Sequence, residues 1–309
     1  GEAMSGQMRG IYTIPPVVYH DDLTVDCEGT RRAVRFCLDC GSHGIVVPVY
    51  ASEYFVLSAP ERKAVLEAAV AEVDGAVPVV AGVSAGYVAE AVDLARHAEA
   101  NGADAVIAAP PHIVKVSFAE LRDYYRQIND AIHIPIFIQN LFPPLGMPMS
   151  VDYMLDLVNT MENVRYIKEE TARSQCIISE LSGYMKNTPG CRLEGVMAGN
   201  GARNLVFEYM RGACGTMPPA QFADLAVAVW DVLESGDIKK AMELHSRCLP
   251  AFIYGGTYGV GCYKYILTRR GLDINPVCRP ANWPQLDGQA KWELDRILDL
   301  VDPLMKVRY

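Results

Sequence analysis

Lys168 closes an apolar run, "NVRYIKEET" over residues 163–171, and Glu169 and Glu170 follow it directly. A lysine at the end of a buried strand has two uses. It can be a surface amine paired with a neighbouring glutamate. It can also be a nucleophile in a cleft, where loss of water favours the neutral amine that adds to a ketone or aldehyde. Tyr50, Ala51, Ser52 and Glu53 follow a second apolar run, 44–49. Small residues there let the backbone approach a ligand, consecutive amides in a turn can cradle a carboxylate, and Ser52 adds a hydroxyl donor. Gln139 and Asn140 end a third run, followed by "LFPPLG", whose proline and glycine shape a loop. His112, in "APPHIV", is either satisfied structurally or a contact to substrate or subunit. Tyr258 and Tyr263, in the glycine-rich "YGGTYGVGCY", fit a cleft or an interface. Glu170 and Gly199 complete the expected substrate contacts. Side chains alternate along a strand, so Glu170 shares the direction of Lys168 only if the strand continues past it.

These residues need a frame. Short apolar runs at 11–18, 44–49, 77–82, 104–109, 134–139, 163–168, 193–198 and 213–217 alternate with helical patterns at 59–73, 87–101, 118–130, 150–160, 172–186 and 201–210. Ser58, Pro60 and Glu61 form a helix start with a capping box. The segments "NGAD" and "TPGC" are stop signals. Strands this continuously apolar need both faces covered. Eight β–α units within residues 10–222 predict a closed (β/α)8 barrel, whose active groups gather at the C-terminal strand ends. A doubly wound sheet is the alternative, but no GxGxxG follows the first strand, and Gly199–Gly201 is an isolated GxG. After residue 222 strands disappear, and residues 223–309 read as a helical region packed on the barrel. Residues 1–9 read as an N-terminal tail.

Composition sets further bounds. The chain has 309 residues, 50% of them hydrophobic and 21% charged, the profile of a globular protein. Its formal charge of −9 has no compensating basic block, which argues against nucleic acid as a partner. No apolar run reaches membrane-spanning length and the N-terminus lacks a secretory pattern, so a cytoplasmic location is expected. Nine scattered cysteines do not suggest a disulfide scaffold, and the lone Cys37–Cys40 pair in "RFCLDCG" reads as buried thiols. Six histidines show no metal-ligand spacing and no HExxH occurs, so neither a metal nor an organic cofactor is expected.

Three segments together resemble the dihydrodipicolinate synthase / N-acetylneuraminate lyase superfamily of class I aldolase-like enzymes, from about Gly10 to Tyr309. "CGSHGIVVPVYASEYFVLSAPER" is similar to the segment carrying a Gly-Thr-Thr-Gly-Glu turn, "IPIFIQN" to the Pro-x-x-x-Tyr-Asn strand, and "VRYIKEET" to the strand of the imine-forming lysine. The resemblance implies a (β/α)8 barrel with a helical appendage, assembled as a homodimer or homotetramer. It implies that Lys168 forms an imine with a 2-keto acid and that Tyr50-Ala51-Ser52 holds the substrate carboxylate. The chain departs from the pattern where Tyr50 and Ala51 replace the two threonines and Gln139 replaces the catalytic tyrosine. His112 stands near the tyrosine that completes a relay across the dimer in the synthases.

The L-2-keto-3-deoxyarabonate dehydratase branch resembles this chain more closely, in Gln139, Ser52-Glu53, Lys168-Glu169-Glu170-Thr171 and "RPANWPQLD…LDRILDLVDPL". That similarity implies dehydration of 2-keto-3-deoxyarabonate to 2-oxoglutarate semialdehyde. Lys168 would be the electron sink, with Ser52 or a water held by Gln139 moving protons. Retro-aldol cleavage, a synthase-like condensation, deamination of a hydroxylated pyrroline carboxylate, and non-catalytic keto-acid sensing use the same imine and stay open.

Overall fold

The computed structural model describes residues 6–143, 145–280 and 283–309. Positions 1–5 of the expected tail, Pro144 of the expected mouth loop, and Ala281 and Asn282 of "RPANWPQLD" lie outside them. Eight parallel strands close into a barrel in sequential order. They are β1 (Gly10–Thr13), β2 (Gly44–Val47), β3 (Val79–Gly82), β4 (Ala105–Ala108), β5 (Ile136–Asn140), β6 (Val164–Glu169), β7 (Gly195–Ala198) and β8 (Gly215–Thr216). The outer ring is α1 (Cys27–Asp39), α2 (Ala59–Val73), α3 (Val88–Ala100), α4 (Phe118–Ala131), α5 (Val151–Thr160), α6 (Ser174–Asn187), α7 (Leu205–Met210) and α8 (Ala223–Glu234). Three more helices follow, α9 (Ile238–Tyr258), α10 (Val260–Arg269) and α11 (Gly288–Val301). α8 packs against β1, the place of an eighth barrel helix, so the helices beyond the ring begin at α9.

The strands are shorter than the apolar runs that signal them, for local reasons. β1 stops at Thr13, with one further bridge from Ile14 to Pro219, because Pro15 and Pro16 have no N–H to donate. β2 stops before Pro48 for the same reason. α2 begins where expected: Ser58 and Glu61 make the reciprocal capping box, with proline in the first turn. The 201–210 pattern divides. Residues Asn200–Ala202 make a 3-10 turn with Gly201 in the left-handed region, and only then does α7 start.

Two apolar layers result. Tyr12, Val46, Val80, Ile107, Phe137, Tyr166 and Met197 fill the barrel interior, and Phe137 stacks on Tyr166 with ring centroids 4.4 Å apart. The alternate residues, such as Ile45, Val47, Ile138 and Ile167, face the surrounding helices. A separate core joins α8 to α9, α10 and α11 through residues such as Trp230, Phe252, Ile266 and Leu294. Cys37 of α1 and Cys40, at the cap after it, are buried thiols, and burial pushes both up. Among the described residues no helix is long and apolar enough to cross a membrane. Nor is any group of three or more His, Cys, Asp or Glu placed to hold a metal ion.

Candidate active site

Register decides what meets at the barrel mouth. β5 and β6 pair with Gln139 opposite Lys168 and Asn140 opposite Glu169. The inward parity that holds Phe137 and Tyr166 in the interior therefore carries Gln139 and Lys168 to the mouth, one step above them. Glu170 lies just past the end of β6, but its N–H donates to the Asn140 carbonyl at 2.9 Å, so the ladder runs one residue further. The condition for Glu170 to share the direction of Lys168 is thereby met.

The three side chains form one cluster. Glu170 Oε1 lies 2.8 Å from Lys168 Nζ and accepts from Gln139 Nε2, also at 2.8 Å. Its other oxygen accepts from the Asn200 amide at 3.1 Å. The Lys168 and Glu170 side chains are only 4% and 12% exposed, so this is an ion pair largely out of water. The two initial readings of Lys168 converge: the amine is paired with a glutamate, and it is buried. Burial alone pushes the Glu170 carboxyl up, but Lys168, the Asn200 amide and Gln139 together outweigh it and hold it below its ordinary value. Gly199 makes room for this arrangement. A Cβ there would fall 2.3 Å from Glu170 Oε2. Its part here is to leave space for the carboxylate.

Glu169 points the other way and braces the site. Its carboxylate accepts from Asn140 Nδ2 at 2.8 Å and from the Thr171 amide at 2.9 Å. Asn140 in turn accepts from the Met149 amide at 2.8 Å, tying the end of β5 to the far side of its loop. Behind this, Glu208 of α7 is fully buried, with the Ser174 side chain its polar neighbour. Burial, with the nearby charges of Glu170 and Glu169, outweighs the opposing Ser174 side chain and pushes it up to about 7.

The segment after β2 is a 3-10 turn, Tyr50–Ser52. The Ser52 amide donates to the Val49 carbonyl and the Ser52 hydroxyl to the Pro15 carbonyl, both at 2.9 Å. The expectation of a free Ser52 donor needs correcting on this point: the fully buried residue spends both donors on joining the loops after β1 and β2. Buried Ala51 joins the interior layer, and half-buried Tyr50 packs its ring edge-on against Trp283, with centroids 5.4 Å apart.

Glu53 is the residue the sequence hid. It adopts a left-handed backbone (φ 60°) and turns its carboxylate inward to Lys264 of α10, 2.7 Å away, with both side chains fully buried. Lys264 also donates to the Val277 carbonyl at 3.0 Å and sits over the Tyr19 ring, 4.4 Å from its centroid. Arg279 covers Tyr19 as well, 4.8 Å from its centroid, and pairs with Glu61 at 2.5 Å. A lysine on an otherwise apolar helix face, "CYKYIL", was the available signal for this contact. His112 stands apart from the Lys168 cluster in its contacts. Its Nδ1 lies 3.3 Å from the Tyr54 hydroxyl, and burial together with Arg62 lowers its proton affinity.

The profile of the dihydrodipicolinate synthetase family matches residues 7–299. YjhH of Escherichia coli K12, named a probable 2-dehydro-3-deoxy-D-pentonate aldolase, is 30% identical over 273 residues, covering 86% of this chain and 89% of its own. The L-2-keto-3-deoxyarabonate dehydratase of Azospirillum brasilense is 28% identical over 304 residues, covering 96% of each. The crystal structure of dihydrodipicolinate synthase from Rhodopseudomonas palustris superposes with a TM-score of 0.87 at 28% identity, over 94% of this chain and 97% of that one. With a closed barrel, a lysine at the end of its sixth strand and a match spanning nearly the whole length, the chain belongs to the dihydrodipicolinate synthetase family, whose members are lyases and aldolases with a class I Schiff-base mechanism.

Proposed function

We propose that this chain dehydrates a 2-keto-3-deoxy sugar acid, 2-keto-3-deoxyarabonate, to 2-oxoglutarate semialdehyde through an imine on Lys168. The observation that carries the reading is the carboxylate of Glu170 beside the lysine amine, with Gln139 where relatives are expected to carry a phenol. A carboxylate 2.8 Å from Nζ lies next to the carbon the amine attacks, and so within reach of the neighbouring C3 protons. The 28% identity to the A. brasilense dehydratase supports the same choice.

The steps follow from that placement. The substrate carboxylate rests on the Tyr50–Ala51 turn, since Ser52 is engaged elsewhere. Lys168 passes a proton to Glu170, adds to C2, and the C2 oxygen leaves as water, giving an iminium. Glu170 removes a C3 proton and the electrons move into the C2–N system as an enamine. The C4–O bond breaks, and the hydroxyl leaves as water with the proton from Glu170. Loss of a C5 proton and return of one at C3 convert the conjugated iminium to the C5 enol. Tautomerisation and hydrolysis release the semialdehyde and the free amine. Gln139 holds Glu170 in place and is not itself a base. No organic cofactor or metal enters this scheme. The partner is a small 2-keto acid, and the exposed Ile113 and Val114 beside His112 suit the contact face of a homodimer or homotetramer.

The test is a panel of 2-keto-3-deoxy acids with products identified by mass, together with borohydride reduction in the presence of pyruvate. Wild-type protein should gain the mass of the reduced adduct. Lys168→Arg should gain none and should lose turnover by about a thousandfold or more. Unchanged protein mass with every keto acid rejects the imine. Retro-aldol cleavage is the second reading, favoured by the 30% identity to YjhH. It gives pyruvate and glycolaldehyde from the pentonate in place of the semialdehyde.

A further inference from the structure

One tyrosine of the region beyond the barrel ring packs on the barrel's interior layer. Tyr263 of α10 is that residue, half-buried against a layer that includes Ala51 of the turn after β2 and Met197 of β7. Three features hold it there. Behind the ring lies Gly255 of α9, where a Cβ would come 2.5 Å from Tyr263 Cε1. Its neighbour in sequence, Lys264, is fixed to Glu53 by the fully buried ion pair. At the start of the helix, Gly259 leaves room for Trp283, which meets Tyr50 edge-on. The cradle loop and the helix carrying Tyr263 are therefore locked to each other on two sides.

Resting on the imine reading above, we propose that Tyr263 is the catalytic residue that addresses the hydroxylated end of the substrate, donating its phenolic hydrogen to the C4 hydroxyl of the keto acid held on Lys168. With the C1 carboxylate on the turn of Tyr50 and Ala51 and C2 on Lys168, C3 faces Glu170, and C4 extends toward the remaining wall of the mouth. Tyr263 supplies that wall. Burial, with the charge of Glu170 close enough to be felt, keeps the phenol protonated, so it acts as a donor. A hydrogen bond to the C4 oxygen strengthens as negative charge develops there during departure, so it lowers the barrier more than it tightens binding. The proton that leaves with the hydroxyl still comes from Glu170, and the phenol is unchanged at the end of the cycle. A pyruvate molecule ends at C3 and has nothing for this group to bind.

Two variants separate the phenol from the fold. Tyr263→Phe removes one oxygen. Gly255→Ala keeps every reactive group, suits a helix interior, and pushes the ring aside. Both should trap pyruvate with borohydride at the wild-type rate. On the 2-keto-3-deoxy acid that the wild type converts fastest, both should lose about tenfold to a hundredfold in kcat/KM, mostly in kcat. Turnover of Tyr263→Phe within twofold of wild type overturns the proposal. Loss of pyruvate trapping in Tyr263→Phe also overturns it, by placing the phenol at the amine. Wild-type protein that traps pyruvate but converts no hydroxylated acid overturns it while leaving the imine intact. Failure of the wild type to trap pyruvate removes the lysine reading and this proposal with it.

Discussion

At the residue scale the proposed chemistry rests on a carboxylate in an unusual position. Lys168 and Glu170 are two apart in the chain and paired at 2.8 Å, so the proposed nucleophile and base are presented together. Glu170 is held below its ordinary value by Lys168, the Asn200 amide and Gln139, which overcome the opposing effect of burial. A base works ionised, so turnover should be flat through neutral pH and fall only as the pH drops below the ordinary carboxylate range. Glu170→Gln keeps the shape and removes the charge. It should lower kcat by about a hundredfold to ten-thousandfold and abolish that acid limb, as read from a pH–rate profile. A variant with wild-type kcat would assign the base to another group. The buried position of Lys168 near a strand end was legible from its place at the end of an apolar run. The direction of the Glu170 side chain was not, because it depended on whether the ladder continues one residue past Glu169, and a bond to the Asn140 carbonyl decides that.

At the element scale, the joint between the loop after β2 and α10 is a buried ion pair. Such a pair is costly to break from one side, because the remaining charge is left unpaired in a region of low polarity. Lys264→Met should destabilise the protein by about 3–5 kcal/mol, measured by denaturant unfolding. Adding Glu53→Gln should return part of that loss, and strict additivity of the two substitutions would show that they do not interact. This contact spans 211 positions in the chain, so the lone lysine in "CYKYIL" signals a buried charge without naming its partner. The eight strands were legible as apolar runs because both of their faces are covered. Their ends were not, since those depend on prolines that withdraw a donor and on glycines such as Gly201 that divide a helical pattern. Ser52 misled for a related reason: a serine in a turn reads as a free hydroxyl until the neighbouring loop supplies the Pro15 carbonyl.

At the scale of the whole molecule, Glu208 links acidity to stability. Its carboxyl is raised from 4.5 to about 7 by burial and by the charges of Glu170 and Glu169. The folded state therefore holds a proton that the unfolded chain gives up. The contribution is fully present below about 4.5 and is lost as the pH rises through about 7. The span is on the order of 3 kcal/mol for a side chain this fully buried. Glu208→Gln should flatten that decline and leave the protein more stable than wild type above neutrality, as read from melting temperature against pH. An unchanged slope would mean the residue is ionised throughout.

β6 and the residue just past its end carry both proposed reactive groups, and hydrogen bonding to β5 fixes their spacing irrespective of what covers the opening. The parts proposed to meet the far end of a ligand are borne by separate pieces of chain, one of them outside the ring. Anyone wishing to retarget this scaffold could thus leave its sixth stave untouched and recut the lid alone.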